Sequence, residues 1–62
     1  MTTKEIAEHI VKMGKQNITI NNNLHRELST LSDYELSEVT IMVEEQGLRL
    51  VQDIFSDTYE VY

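Results

Sequence analysis

The sequence predicts an all-α fold, in which residues 1–62 form a single helical domain that assembles as a small helical bundle in a homodimer. Capping-box patterns open two stretches, apolar residues recur at helical spacing over most of the chain, and no proline interrupts them. A chain of 62 residues without cysteine buries little apolar surface and has no disulfides to compensate. A second copy is therefore the expected source of further burial.

The first predicted helix covers about residues 3–13. Thr2 and Glu5 have the spacing of a capping box, in which each residue's side chain accepts a hydrogen bond from the other's backbone N–H. Gly14 occupies the position of a C′ glycine, which ends many helices. The apolar stripe of this helix consists of Ile6, Ala7, Ile10 and Met13.

Residues 17–21 have the alternation of a short strand, because Ile18 and Ile20 alternate with polar residues. An extended connector fits these five residues equally well. A short helix over about residues 23–31 follows, capped by Asn22 or Asn23. Its apolar side consists of Leu24, Leu28 and Leu31.

A long helix is predicted from residue 33 to residue 56. Ser32 and Glu35 form the second capping box at its start. Gly47 lies inside this stretch, and the apolar periodicity that continues beyond it favours an unbroken helix. The alternative is a helix that ends near Gln46, with a separate segment after it. The tail at 58–62 alternates and is β-prone, so it either frays or lies along residues 18–20 as a second strand.

The long helix carries two adjacent apolar stripes that together span roughly 200° of its circumference, about twice what a one-sided surface helix needs. Such a helix is expected to be buried on two sides, which predicts self-association through it. The predicted core and dimer-interface residues are Leu36, Val39, Ile41, Val43, Leu48, Leu50, Val51, Ile54 and Phe55.

Charge argues against binding to nucleic acid. The formal net charge is −6, and the nine acidic residues of 21–62 face only two arginines. Binding dominated by phosphate contacts requires a basic face, which this part of the chain lacks. The acidic excess is typical of a solvated surface, and the alternative is an acidic mimic of nucleic acid that inhibits a DNA-binding protein. A predicted surface for a protein partner consists of Glu38, Glu45, Asp53, Tyr59 and Tyr62.

The sequence contains no constellation typical of catalysis or of a cofactor. His9 and His25 are the only histidines and belong to different predicted elements, which argues against a metal site. Two isolated glycines supply no phosphate-binding loop, so we expect neither an enzyme nor a cofactor protein. No apolar stretch approaches the length of a membrane span, and the lack of cysteine favours the cytoplasm.

Residues 18–51, from Ile-Thr-Ile-Asn to Leu-Arg-Leu-Val, resemble ribbon-helix-helix repressors, in which a short strand precedes two helices in an obligate dimer. The resemblance implies a DNA-binding transcriptional regulator with Asn17, Thr19 and Asn21 facing the bases. The sequence departs from that pattern in its acidic second helix and in the helix that precedes the strand.

The stretches Leu-Ser-Asp-Tyr-Glu-Leu-Ser-Glu-Val-Thr (31–40) and Met-Val-Glu-Glu-Gln-Gly (42–47) are similar to small early-region proteins of lambda-like phages. Those proteins are encoded between the exonuclease and excisionase genes. The resemblance implies a non-enzymatic accessory protein that binds a host factor in the host cytoplasm during phage development.

Overall fold

The protein combines three helices with a two-stranded antiparallel sheet, and a computed structural model describes residues 2–56 and 58–62. The prediction of an all-α bundle is therefore wrong: the fold is mixed α/β. The elements in chain order are α1 (Thr3–Lys15), α2 (Asn22–Ser29), α3 (Asp33–Glu45), β1 (Leu50–Asp53) and β2 (Thr58–Val61).

Both predicted capping boxes are confirmed. The Glu5 N–H donates to Thr2 Oγ1 at 3.2 Å, and Glu5 Oε1 accepts from the Thr2 N–H at 3.3 Å. Ser32 and Glu35 repeat this exchange at the start of α3, with both distances 3.2 Å. Each box satisfies backbone N–H groups that have no partner inside the helix, which fixes where α1 and α3 begin.

The cap of α2 differs from the prediction. Asn21, and neither Asn22 nor Asn23, accepts the capping hydrogen bond, from the Leu24 N–H at 2.9 Å. Asn21 has the extended backbone that an N-cap requires, so α2 begins one residue earlier than predicted. It ends at Ser29 rather than at residue 31.

Gly14 lies inside α1 and does not end it, so its predicted role as a C′ residue is wrong. The helix continues to Lys15, and Asn17 takes the left-handed backbone conformation at φ 55° instead. A Cβ on Gly14 would lie 2.9 Å from both Leu48 Cδ1 and Val61 Cγ2. A larger residue at this position would require the Leu48 and Val61 side chains to shift, because they pack directly on the helix backbone.

The predicted helix over 33–56 is also wrong, and the alternative of an earlier helix end is correct. Helix α3 ends at Glu45, and Gly47 follows at φ +80°. The Gly47 N–H donates to the Glu44 carbonyl at 2.9 Å and the Leu48 N–H to the Val43 carbonyl at 3.4 Å. This is the Schellman arrangement, in which a C′ glycine in the left-handed conformation closes the helix and redirects the chain.

The chain after this turn forms a β-hairpin. Leu50 pairs with Val61 and Gln52 with Tyr59, and a turn over residues 54–56 follows β1. The β-prone tail is thus a strand, but it pairs with β1 and not with residues 18–20. Those three residues form no strand with any of the described residues, and Ile20 alone among them is buried.

The core lies between α1, α2, α3 and the inner face of the hairpin. Ile6 and Ile10 of α1 and Val39 and Val43 of α3 are completely buried, so the contact between these two helices forms its centre. The buried apolar residues are Ile6, Ala7, Ile10, Ile20, Leu24, Leu28, Val39, Val43 and Tyr59.

Substitution of Gly47 by alanine distinguishes the Schellman turn from a continuous helix by the sign of its effect. In the left-handed conformation a Cβ costs roughly 1–2 kcal/mol, so we expect the free energy of unfolding in urea to fall by about that amount. In the interior of a helix the same change would instead raise stability by about 1 kcal/mol. Gln46→Ala is the matched control, for which we expect a change within about 0.5 kcal/mol.

Candidate interaction site on the β-hairpin

A specific turn organises the end of the hairpin. Asp53, the last residue of β1, accepts hydrogen bonds at Oδ1 from the Phe55 N–H at 3.0 Å and from the Ser56 N–H at 3.4 Å. Asp side chains stabilise turns by bonding to backbone N–H groups two or three residues further on. The Phe55 N–H, followed by hydrogen bonds from Ser56, lowers the pKa of the Asp53 carboxyl. The charged form of Asp53 therefore holds this turn.

The turn presents two apolar side chains to solvent. Phe55 is 97% exposed and Ile54 is 78% exposed. We refer to Ile54 and Phe55 as the apolar tip. Isolated exposed apolar residues are common, but a nearly fully exposed aromatic ring beside a second large apolar residue is informative. The core of this protein leaves both side chains uncovered although other apolar residues of the same hairpin are packed.

Strand β2 of the hairpin is attached to the helices. The Tyr59 N–H donates to His25 Nδ1 at 3.3 Å, and the two rings stack with centroids 6.3 Å apart and planes at 30°. Tyr59 is 7% exposed and belongs to the core. At the open end of the ladder, Arg49 and Tyr62 exchange backbone hydrogen bonds of 2.6 and 3.0 Å. The hairpin is therefore anchored to α2 at Tyr59, one strand pair before the turn, and its apolar tip is left uncovered.

A groove of about 400 Å³ separates β2 from the segment at 17–20. Ile18 is 49% exposed on one wall, and Tyr62 is 61% exposed on the other. His25 also lines this groove, beside the hydrogen bond that it accepts from Tyr59. One alternative from the sequence placed the tail along residues 18–20 as a second strand. The tail does run near these residues, but a groove lies between the two segments.

The residues of the predicted dimer interface are divided between two environments. Val39 and Val43 lie in the core, and Leu36, Leu48 and Leu50 are partly buried against it; Ile41, Val51, Ile54 and Phe55 are exposed. The two continuous helical stripes do not exist, because every residue after Gly47 in this set belongs to the hairpin or to the segment leading into it.

The predicted partner surface is likewise separated. Glu38 and Glu45 lie on α3, whereas Asp53 and Tyr62 lie on the hairpin. The remaining residue, Tyr59, is a core residue and offers no surface. Of this set, only Asp53 lies directly beside the apolar tip, and its carboxylate already accepts hydrogen bonds from the turn.

Two of the three residues to which the ribbon-helix-helix resemblance assigned base contacts have local structural roles. Asn17 takes the left-handed conformation after α1, and the Asn21 side chain caps α2. The helix α1 packs against α3 within one chain and supplies the core with two completely buried isoleucines. These roles account for both asparagines without a DNA ligand.

Two features of the site were missed at the sequence level. Asp53 precedes the turn at 54–56, and an Asp at the start of such a turn is a recognisable signal once the strand is assigned. The pairing of His25 with Tyr59 joins residues 34 positions apart and has no local signal. Assigning residues 48–56 to a helix concealed the first feature, because a helix interior contains no turn.

Neither a metal centre nor a membrane span is identified in the described part of the chain. Across residues 2–56 and 58–62, no three His, Cys, Asp or Glu side chains are placed to hold a metal ion. Within the same residues, no helix combines the length and apolar character needed to cross a membrane. Comparison with protein-family profiles, curated proteins and solved structures gave no significant match. The hairpin and its tip are therefore interpreted from their own geometry.

Replacement of His25 tests the attachment of β2 to α2. His25→Ala removes the acceptor of the Tyr59 N–H and the ring stacked on Tyr59, so we expect the free energy of unfolding to fall by about 1–2 kcal/mol. Amide hydrogen exchange at Tyr59 should accelerate in parallel. His25→Asn keeps a short side-chain acceptor and should retain part of the protection. Equal exchange rates in all three proteins would contradict an anchoring role.

The turn at Asp53 should depend on pH. Its pKa is lowered in the folded protein, so the stabilising effect of the carboxylate is fully present above the unfolded pKa of about 3.9. That effect is lost as the pH falls through the lower folded pKa. We expect the amide chemical shifts of Phe55 and Ser56 to change in this acidic range. In Asp53→Asn the side-chain amide oxygen still accepts but does not titrate, so the two amide chemical shifts should no longer change with pH in this range. A pH-dependent change that remained at both amides would contradict the assignment to Asp53.

Proposed function

We propose that this protein is a non-enzymatic binding module that inserts the apolar tip of its hairpin into an apolar pocket on a partner protein. The observation that carries the proposal is the 97% exposure of Phe55 in a turn held by Asp53. A free aromatic side chain on a disordered loop would lose conformational freedom on binding. Here the backbone is already ordered, which reduces that cost.

The two side chains of the tip supply a substantial part of a binding free energy. Complete burial of a Phe or Ile side chain stabilises by about 1.5–3 kcal/mol, so Ile54 and Phe55 together contribute about 3–6 kcal/mol. This corresponds to roughly 10²- to 10⁴-fold in affinity. Aromatic anchors that fill a pocket, surrounded by weaker contacts, are the usual organisation of a protein interface.

The charge around the tip indicates the chemistry of the partner. Asp53 precedes the tip, Glu60 is exposed on the adjacent strand, and the protein has a formal net charge of −6. A partner pocket surrounded by Lys or Arg side chains would complement this surface and accelerate association. Binding to such a partner should weaken as salt is added, because exposed charge pairs are screened.

The similarity to small early-region proteins of lambda-like phages provides the biological side of the proposal. A module of this kind would act in the bacterial cytoplasm on a host protein during phage development, and its effect would follow from occupying a site on that protein. No reaction of its own is needed, and an acidic module with an apolar anchor is suited to compete with another ligand of a basic surface.

The test compares the wild type with Phe55→Ser and with Ile41→Ser as a matched control. Ile41 is 58% exposed on α3, so its replacement also removes an exposed apolar residue but leaves the hairpin unchanged. Immobilised protein is exposed to a bacterial lysate, and a retained protein is purified and titrated by calorimetry. We expect Phe55→Ser to weaken its binding about 10- to 100-fold, and Ile41→Ser to have little effect.

The same comparison can contradict the proposal. A retained protein that binds all three variants equally would not use the apolar tip. A specific shift of a DNA duplex by the wild type would favour a nucleic-acid function instead. Adsorption to neutral lipid vesicles that depends on Phe55 would mean that the tip enters a bilayer and not a protein pocket.

A further inference from the structure

The hydrogen-bond pattern of the hairpin shows which backbone groups of β1 face away from β2. Arg49 and Tyr62 exchange both of their backbone hydrogen bonds. In an antiparallel ladder such pairs alternate with pairs that exchange none. Val51 and Asp53 therefore bond to β2, whereas the N–H and C=O groups of Leu50 and Gln52 point outward. The Tyr59 N–H agrees with this alternation, since it leaves β2 on the opposite edge and donates to His25.

The outer edge of β1 is open in the folded chain. Within residues 2–56 and 58–62, no other element donates to or accepts from the outward backbone groups of Leu50 and Gln52. The strand contains no proline, lysine or bulge, which are common means of blocking an edge. Gln52 and the side chain of Val51 are exposed as well. This edge has the backbone geometry to receive one further strand.

We infer that the strand it receives is β1 of a second copy, paired antiparallel about a two-fold axis at Val51. In this register Leu50 of each copy faces Gln52 of the other. Both residues have outward N–H and C=O groups, so the two pairs exchange four hydrogen bonds. Val51 meets Val51 of the second copy at a position that forms no hydrogen bonds, where opposing side chains approach most closely.

Charge complementarity selects this register. Arg49 of each copy lies opposite Asp53 of the other, on the same face as Val51, and the pair occurs twice because of the two-fold axis. Opposite charges at facing positions stabilise paired strands, and like charges destabilise them. Sliding one strand by two residues places Arg49 opposite either Val51 or Phe55 and leaves each Asp53 without a cation.

The inference goes beyond the proposed function and does not depend on it. Pairing through β1 joins two hairpins into one four-stranded sheet. Because the central strands are antiparallel, the two apolar tips point to opposite ends of that sheet. A dimer of this form would present two tips to a partner with two pockets, which increases the effective affinity. A monomer could still insert its single tip.

A charge exchange tests the pairing in solution. Light scattering over a dilution series should show the wild type rising from 7.2 kDa toward twice that mass as its concentration increases. Arg49→Asp and Asp53→Arg each place like charges opposite one another, so each variant alone should remain monomeric. A one-to-one mixture restores both opposite-charge pairs and should dimerise like the wild type. A monomeric wild type at every concentration, or dimers of both single variants, would overturn the inference.

Cysteine cross-linking provides a second test that does not alter Asp53 and its turn. The native chain contains no cysteine, so Val51→Cys introduces a single thiol at the two-fold axis. The expected Cα separation there, about 4.5 Å, lies within the range of a disulfide. Mild oxidation should give a covalent dimer faster than for Ile41→Cys, an exposed control on α3. Equal rates would reject the register, and tip-dependent partner binding would then stand on its own.

Discussion

The direct packing of the hairpin on α1 at Gly14 is the contact on which the rest of the structure depends. The methyl groups of Leu48 and Val61 occupy the space that a side chain at this position would fill. Leu48 lies just before β1, and Val61 is the last residue of β2. This contact therefore brings the start of β1 and the end of β2 onto the first helix. It requires α3 to end and the chain to reverse at Gly47, whose left-handed conformation allows the Schellman turn.

The same packing covers the inner face of the two strands and leaves the turn between them exposed. Tyr59 reaches the core and its N–H is bound by His25, whereas Ile54 and Phe55 lie beyond the helices. Asp53 orders the turn between the strands without covering either apolar side chain. The anchored strand β2 and the ordered, uncovered tip form a binding element that needs little rearrangement. This organisation supports a recognition role more directly than the acidic composition does.

The tip and the open edge of β1 are separate surfaces of one hairpin. The tip offers apolar area, and the edge offers backbone hydrogen bonds flanked by Arg49 and Asp53, which are complementary to a second copy. The sequence also predicts a dimer, but on the basis of a two-sided helix that does not exist. Self-association through the edge has a different physical basis, since it depends on strand pairing and charge. Phe55→Ser changes only the tip and Arg49→Asp only the edge, whereas Asp53 contributes to both surfaces.

Local interactions determined what the sequence alone could specify, namely the starts of α1 and α3. Each depends on a capping box that spans four residues, Thr2 to Glu5 and Ser32 to Glu35, and needs no distant partner. The region after Glu45 differs, because Leu48, Val51 and Phe55 suit helical spacing while the tail at 58–62 suits a strand. Only tertiary contacts decide between them: the hairpin packs Val61 against α1 and buries Tyr59 against α2, and a continued helix would leave these residues without the core. The candidate site follows from that choice, since Phe55 becomes an exposed tip only once residues 50–61 form two strands.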